Sequence, residues 1–245
     1  MMYYFASDVH LGAGADARLA EQRFIAWLDD VSRDAAAIFL LGDIFDFWFE
    51  YRRVVPKGCV RTLAKLSELT QRGIRVVMLT GNHDMWVREY LAEECGVELY
   101  TQPAVMDIAG RKVFLAHGDN MKIDGRPALK LMNGIFRSKT ARFLFSWLVH
   151  PDFAVSFGRW WSGRSRKSHG GAAADTRMLD PLTEYAAELG RGQGVECCIF
   201  GHFHLPDDRM AGDTRVIFLG DWSAVPTYAS MTPDGDITLK RYETR

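Results

Sequence analysis

The sequence predicts an α/β protein built from two packed sheets flanked by helices, with one helical insert. Three observations carry that class. Short apolar runs alternate with amphipathic helical stretches through the first 120 residues. Strand-like runs separated by turn residues close the chain. Between these parts, residues 121–170 have a composition of their own, rich in bases and aromatics.

Taken in order, residues 3–7 form a short apolar strand. Residues 18–33 place Leu19, Phe24, Ile25, Leu28 and Val31 near helical spacing. Residues 36–41 read as a buried strand, 57–71 as a helix stopped by Gly73, and 74–79 as a second buried strand. A helix is predicted over 84–94, ending near Gly96. Strands follow at 97–100, 104–108 and 112–116, the last two paired across Ala109-Gly110. Residues 127–161 read as two helices divided at His150-Pro151, then a polar stretch follows Gly163. A helix over 175–189 precedes strands at 196–200, 215–219, 227–230 and 237–242, with a turn at Asp234-Gly235. The whole is read as a single domain, 1–245, with the insert at about 122–170.

Composition bounds the function. At 48% hydrophobic and 25% charged, the 245-residue chain has a globular core, which excludes disorder and a disulfide scaffold. No stretch is long and apolar enough to predict a spanning helix, and Met1-Met2-Tyr3-Tyr4 lacks the basic start of a signal peptide. Cys59, Cys95, Cys197 and Cys198 have no metal-like spacing, so reduced, buried thiols and a cytoplasmic location are expected. The adjacent Cys197 and Cys198 should face opposite sides of one strand. The net charge of −1 hides an asymmetry: residues 121–170 carry +8 and the remainder −9. A basic block inside an acidic body implies an anionic partner.

The chemistry sits just beyond the strands. Asp8-Val9-His10, Gly42-Asp43, Gly81-Asn82-His83-Asp84, His117-Gly118-Asp119 and Gly201-His202-Phe203-His204 each follow a predicted buried strand. Carboxyl ends of strands are where open α/β sheets place ligands. A single Asp or His there is ordinarily a turn, cap or satisfied core residue. Here five of the seven histidines fall in these clusters, leaving only His150 and His169 outside. Asp8, His10, Asp43, Asn82, His117, His202 and His204 are therefore predicted to converge as a mixed oxygen and nitrogen metal site, suited to Mn²⁺, Fe²⁺, Zn²⁺ or Co²⁺.

That ordered set of five motifs resembles the calcineurin-like metallophosphoesterases. The resemblance implies a four-layer α-β-β-α sandwich with two metals at the strand ends. It implies Asp8, His10 and His204 on one ion, Asn82, His117 and His202 on the other, and Asp43 bridging both. It also implies that His83 contacts phosphate or protonates the leaving group, with Asp84 orienting it. Members of the purple acid phosphatase type have Tyr where this chain has Asp46, so a divalent pair is expected, Mn²⁺ first, then Fe²⁺ or Zn²⁺. A structural role is expected for Asp46 itself.

Within that superfamily, Asp8-Val9-His10-Leu11, Leu41-Gly42-Asp43-Ile44-Phe45-Asp46-Phe47-Trp48 and the insert after His117-Gly118-Asp119 resemble the UDP-2,3-diacylglucosamine pyrophosphohydrolase branch of lipid A biosynthesis. The resemblance implies a nucleotide-linked acylated sugar as substrate and an insert that forms a lid over its acyl chains. By position, Asn82, His83, Asp124 and His202 would meet substrate, with Arg164 or Lys167 (or Arg166 or His169) reaching phosphate or sugar. The basic, aromatic insert, with its run Phe143-Leu144-Phe145-Ser146-Trp147-Leu148, adds an expected peripheral contact with the cytoplasmic face of the inner membrane. One departure stands out: typical members of the branch carry Arg where this chain has His83. Two competing functions are a general phosphoesterase acting on nucleotides or nucleic acid, and a binding scaffold without chemistry. Bases set among large apolar side chains disfavour nucleic acid, and the presence of all seven ligand residues disfavours the scaffold. No obligate protein partner is evident.

Overall fold

A computed structural model describes residues 1–119, 121, 134–136, 138–169, 176–223 and 226–243, excluding the side chains of Lys139, Arg159 and residues 164–169. Its elements are β1 (Met2–Ala6), α1 (Ala17–Val31), β2 (Ala35–Leu41), α2 (Val60–Gln71), β3 (Arg75–Leu79), α3 (Tyr90–Cys95), β4 (Glu98–Tyr100), β5 (Ala104–Ile108) and β6 (Arg111–Ala116). They continue with α4 (Lys139–Leu148), α5 (Pro151–His169), α6 (Asp180–Gln193), β7 (Cys197–Phe200), β8 (Asp207–Ala211), β9 (Thr214–Phe218), β10 (Thr227–Met231) and β11 (Ile237–Arg241).

One sheet has the order β11-β10-β1-β2-β3-β4 and the other β5-β6-β7-β9-β8. The strands β1, β2 and β3 run parallel in the first, as do β6, β7 and β9 in the second. Both faces of these strands are covered, so successive side chains enter different apolar layers. In β2, Ile38 and Leu40 meet Phe24, Trp27 and Leu66 of α1 and α2, whereas Phe39 and Leu41 join Val113, Leu115, Ile199 and Ile217 between the sheets. On the far side, Phe114, Cys198, Phe200 and Phe218 pack on Leu182, Ala186 and Leu189 of α6. The expected α-β-β-α sandwich is thus present. Cys197 faces the inter-sheet layer and Cys198 the helix layer, as period-two geometry requires.

The insert helices rest on the loops after β2 and β3. Phe145 of α4 meets Phe49 and Trp86, and the Tyr51 hydroxyl donates to the Val149 carbonyl over 2.9 Å. On α5, Ala154, Gly158 and Ser162 form a buried stripe four residues apart, while Phe153, Phe157, Trp160 and Trp161 are exposed. Gly158 is required for this seating: a Cβ there would stand 2.3–2.4 Å from the Phe47 ring.

Several boundaries differ from expectation. The helix predicted over 84–94 is reduced to Tyr90–Cys95, because the Asp84 side chain binds backbone amides and Trp86 makes a strand-like bridge to Phe49. The helix predicted over 57–71 begins only at Val60, after Cys59 in a left-handed conformation. The predicted 175–189 helix is a 3-10 turn, Thr176–Leu179, followed by α6. The second insert helix continues through Gly163 to His169, where a polar loop was expected. Strand β8 was not expected, since its Asp207-Asp208-Arg209 opening is polar; it is an edge strand.

Candidate metal centre

The loops after β1, β2, β3, β6 and β7 meet at one end of the sandwich. They are zipped by backbone bonds: Asp8 N–H to the Gly42 carbonyl (3.1 Å), His10 N–H to Asp43 (3.0 Å) and Gly201 N–H to His117 (3.0 Å). Such close approach needs glycine at position 42. It has φ +85°, and a Cβ there would lie 2.7 Å from both the Gly81 nitrogen and His117 Nδ1.

Five predicted ligands occupy left-handed backbone conformations: Asp8 (φ 55°), His10 (49°), Asp43 (53°), His202 (73°) and His204 (56°). Each costs about 1 kcal/mol or more for a residue bearing a Cβ. Their concentration in one site, held by the surrounding core, is the backbone signature of a functional centre.

The side chains form one continuous cluster. His10 Nε2 and His204 Nε2 are 3.2 Å apart, and Asp8 Oδ1 lies 3.2 Å from His204 Nε2 and 4.0 Å from His10 Nε2. Asp8 Oδ2 accepts the Ser7 hydroxyl and the His202 amide, which leaves buried Oδ1 without a well-aligned hydrogen bond. Asp43 Oδ1 accepts the His83 amide (2.8 Å), and its Oδ2 is 3.3 Å from His117 Nε2. His117 Nε2 is also 3.2 Å from Asn82 Oδ1, and the His117 and His202 rings meet edge-on at 5.2 Å. His117 Nδ1 donates to the Leu41 carbonyl at 2.9 Å, which turns Nε2 toward the cluster. The ligand-type atoms of Asp8, His10 and His204, and those of Asp8, Asp43 and His117, each lie within 4.8 Å of one another. An orphaned carboxylate oxygen facing close imidazole nitrogens fits a cation, and the oxygen and nitrogen donor set fits a divalent transition metal.

The electrostatics agree. Burial lowers His10 and His202 to about 4, keeping both rings in the neutral form that binds metals. Burial would also lower His204, but the Asp221 and Asp8 carboxylates raise it to about 10. Despite desolvation, His117 and His83 hold Asp43 well below the usual carboxylate range. Burial and the Asp43 charge raise Asp84 to about 6.

All seven predicted ligand residues are brought together, and His83 lies at the edge of the cluster with Nε2 3.8 Å from Asp43 Oδ2. The expected orienting role of Asp84 is corrected. Its Oδ1 accepts the Gly81 amide (2.7 Å), and its Oδ2 accepts the Ile44 (2.8 Å) and Phe45 (3.4 Å) amides, so it ties two loops together. His83 Nδ1 instead lies 2.9 Å from both the Asp46 carbonyl oxygen and Ser162 Oγ, which share its single N–H. Asp124 and the side chains of Arg164, Arg166, Lys167 and His169 lie outside the described residues. Sequence reasoning missed Asp221, 3.6 Å from His204 Nδ1, and Ser162. Asp221 was findable, since Gly220-Asp221 repeats the Gly-Asp signature after a predicted strand.

With the fold and the cluster in place, comparison with known proteins gives the class. Residues 1–206 match the family model of the calcineurin-like phosphoesterases, and the chain belongs to that family. Its fold is shared with a solved archaeal phosphodiesterase at a TM-score of 0.51 and 13% identity, covering 99% of this chain and 100% of that one. Among curated proteins it is similar to UDP-2,3-diacylglucosamine hydrolase of Porphyromonas gingivalis, 35% identical over 92% of both chains. It is also similar to the enzyme of that name from Pseudomonas aeruginosa, 28% identical over 91% of both.

Proposed function

We propose that this chain is a dimetal hydrolase that cleaves the diphosphate of UDP-2,3-diacylglucosamine by water attack on the α-phosphate. The products are UMP and 2,3-diacylglucosamine 1-phosphate. One observation carries the substrate: the likeness to the Porphyromonas gingivalis UDP-2,3-diacylglucosamine hydrolase spans 92% of both chains and so is not confined to the metal motifs.

In this reading Asp8, His10 and His204 hold one divalent ion, Asn82, His117 and His202 the other, and Asp43 lies between them. Mn²⁺ is the first candidate, then Fe²⁺ or Zn²⁺; when bound, the pair supplies Lewis acidity toward phosphoryl oxygens and toward water. The protein's own part is positioning. His83 keeps its Nδ1 proton on the Asp46 carbonyl and presents Nε2 to the phosphate or leaving group. Asn82, His83 and His202 line the place of the diphosphate, and Asp124, Arg164 and Lys167 complete the substrate contacts from the insert. His83 cannot grip a diphosphate through two parallel bonds as Arg would.

The insert acts as a lid, and its outer face as a peripheral membrane contact. Trp147 is 76% exposed and Trp160 59%, beside exposed Phe143, Leu148 and Phe153. No helix among the described residues is long and apolar enough to cross a membrane, so contact would be at the surface. Co-sedimentation with anionic liposomes that fails for wild type would remove this part of the reading.

The deciding experiment uses Mn²⁺-loaded protein in ¹⁸O water with UDP-2,3-diacylglucosamine, UDP-glucosamine and a generic aryl phosphodiester. Rapid release of ¹⁸O-labelled UMP from the acylated substrate alone is expected. Turnover of only the generic ester would reject the substrate while keeping the reaction class. His117→Ala should lose metal and nearly all turnover; full activity in that variant would reject the site.

A further inference from the structure

The insert does more than approach the site: it delivers a side chain into it. Ser162 on α5 is buried at 2% exposure, and its hydroxyl donates to Asp46 Oδ1 while Oγ lies 2.9 Å from His83 Nδ1. One hydroxyl can do both, donating its proton to a carboxylate and accepting the ring N–H. The same Asp46 oxygen lies 3.9 Å from His10 Nδ1 and 3.9 Å from His83 Nδ1, so the carboxylate stands between two histidines of the centre. The contact exists because the stripe Ala154, Gly158 and Ser162 lets α5 lie against Phe47 with no side chain between them.

We infer that Ser162 is a positioning residue for His83, so that seating the insert helix and aligning His83 are one event. With Ser162 and the Asp46 carbonyl both on Nδ1, the imidazole is fixed as an Nδ1 donor with Nε2 turned to the centre. Without Ser162 the ring keeps one of its two anchors and can turn about its side-chain bond. The inference rests on the role proposed above for His83, but not on the identity of the substrate.

The test is a double-mutant cycle on metal-loaded protein, with Ser162→Ala, His83→Ala and the pair, on UDP-2,3-diacylglucosamine and on bis(p-nitrophenyl) phosphate. Ser162→Ala should lower kcat about tenfold with KM little changed. Ser162→Thr, which restores a hydroxyl, should recover most of that loss. In the His83→Ala background the same Ser162→Ala change should cost less than twofold. An equal loss in both backgrounds, or a rise in KM confined to the acylated substrate, would overturn the inference and make Ser162 a structural or substrate contact. Wild-type rates for His83→Ala on both esters would overturn the His83 role and the inference with it. If only the aryl ester turns over, the substrate reading fails, and the cycle is still read on that ester.

Discussion

Replacing Gly42 by Ala tests whether the site depends on backbone approach rather than on its ligands alone. The added Cβ meets the Gly81 nitrogen and His117 Nδ1 at 2.7 Å and the Gly81 Cα at 2.8 Å, and backbone cannot swing aside. Holding Ala at φ +85° costs about 1–2 kcal/mol, and the overpacking about 1–3 kcal/mol more. For a chain of this size, roughly 2–5 kcal/mol lowers Tm by roughly 4–20 °C. The displaced His117 would also lose its bond to the Leu41 carbonyl, so metal content and turnover should fall together. Gly12→Ala is the control: it has φ +91° but nothing within 4 Å, so it should carry only the backbone cost and shift Tm by about 2–8 °C. Thermal unfolding, metal analysis and phosphodiester hydrolysis of both variants measure the difference. Equal Tm losses, with Gly42→Ala fully active and fully metallated, would refute the argument.

Two further outcomes follow from the electrostatics. In EDTA-treated protein His204 is raised to about 10 against an ordinary value of 6.5, with Asp221 among the causes, so it binds its proton more tightly when folded. That stabilisation is fully present below pH 6.5 and is lost as pH rises through about 10. Asp221→Asn should therefore lower the Tm of the metal-free protein near neutral pH and converge with wild type above pH 10; a pH-independent gap would contradict it. Burial raises Cys197 and Cys198 to about 12 and also raises Cys95. At pH 8 these three should react with a disulfide reagent only after denaturation, with half-buried Cys59 reacting first. Prompt reaction of all four thiols in the folded protein would refute the packing.

How much of this was legible in the sequence depended on the range of the interaction. Five buried strands could be read because parallel strands covered on both faces are continuous apolar runs, and each ran straight into its Asp, Asn or His. The metal-type residues were legible for the same reason, since position just beyond a strand fixes where a side chain goes. Strand β8 was hidden because an edge strand with one face in water needs only alternate apolar residues. The role given to Asp84 failed because adjacency to His83 in sequence says nothing about side-chain direction. Both oxygens of the Asp84 carboxylate are taken by the amides of Gly81, Ile44 and Phe45, while His83 Nδ1 is held by the Asp46 carbonyl and Ser162. Ser162 lay furthest out of reach, seventy-nine residues from His83 and on a helix whose most evident feature is its exposed aromatics. Its signal is the small stripe on the opposite face, and such a stripe states only that something lies close. What lies close is Phe47, one residue beyond Asp46, so the same helix also reaches the residue whose carbonyl holds His83. On the inference drawn above, lifting that helix would loosen His83, and the insert would then be tied to the chemistry as well as to substrate binding.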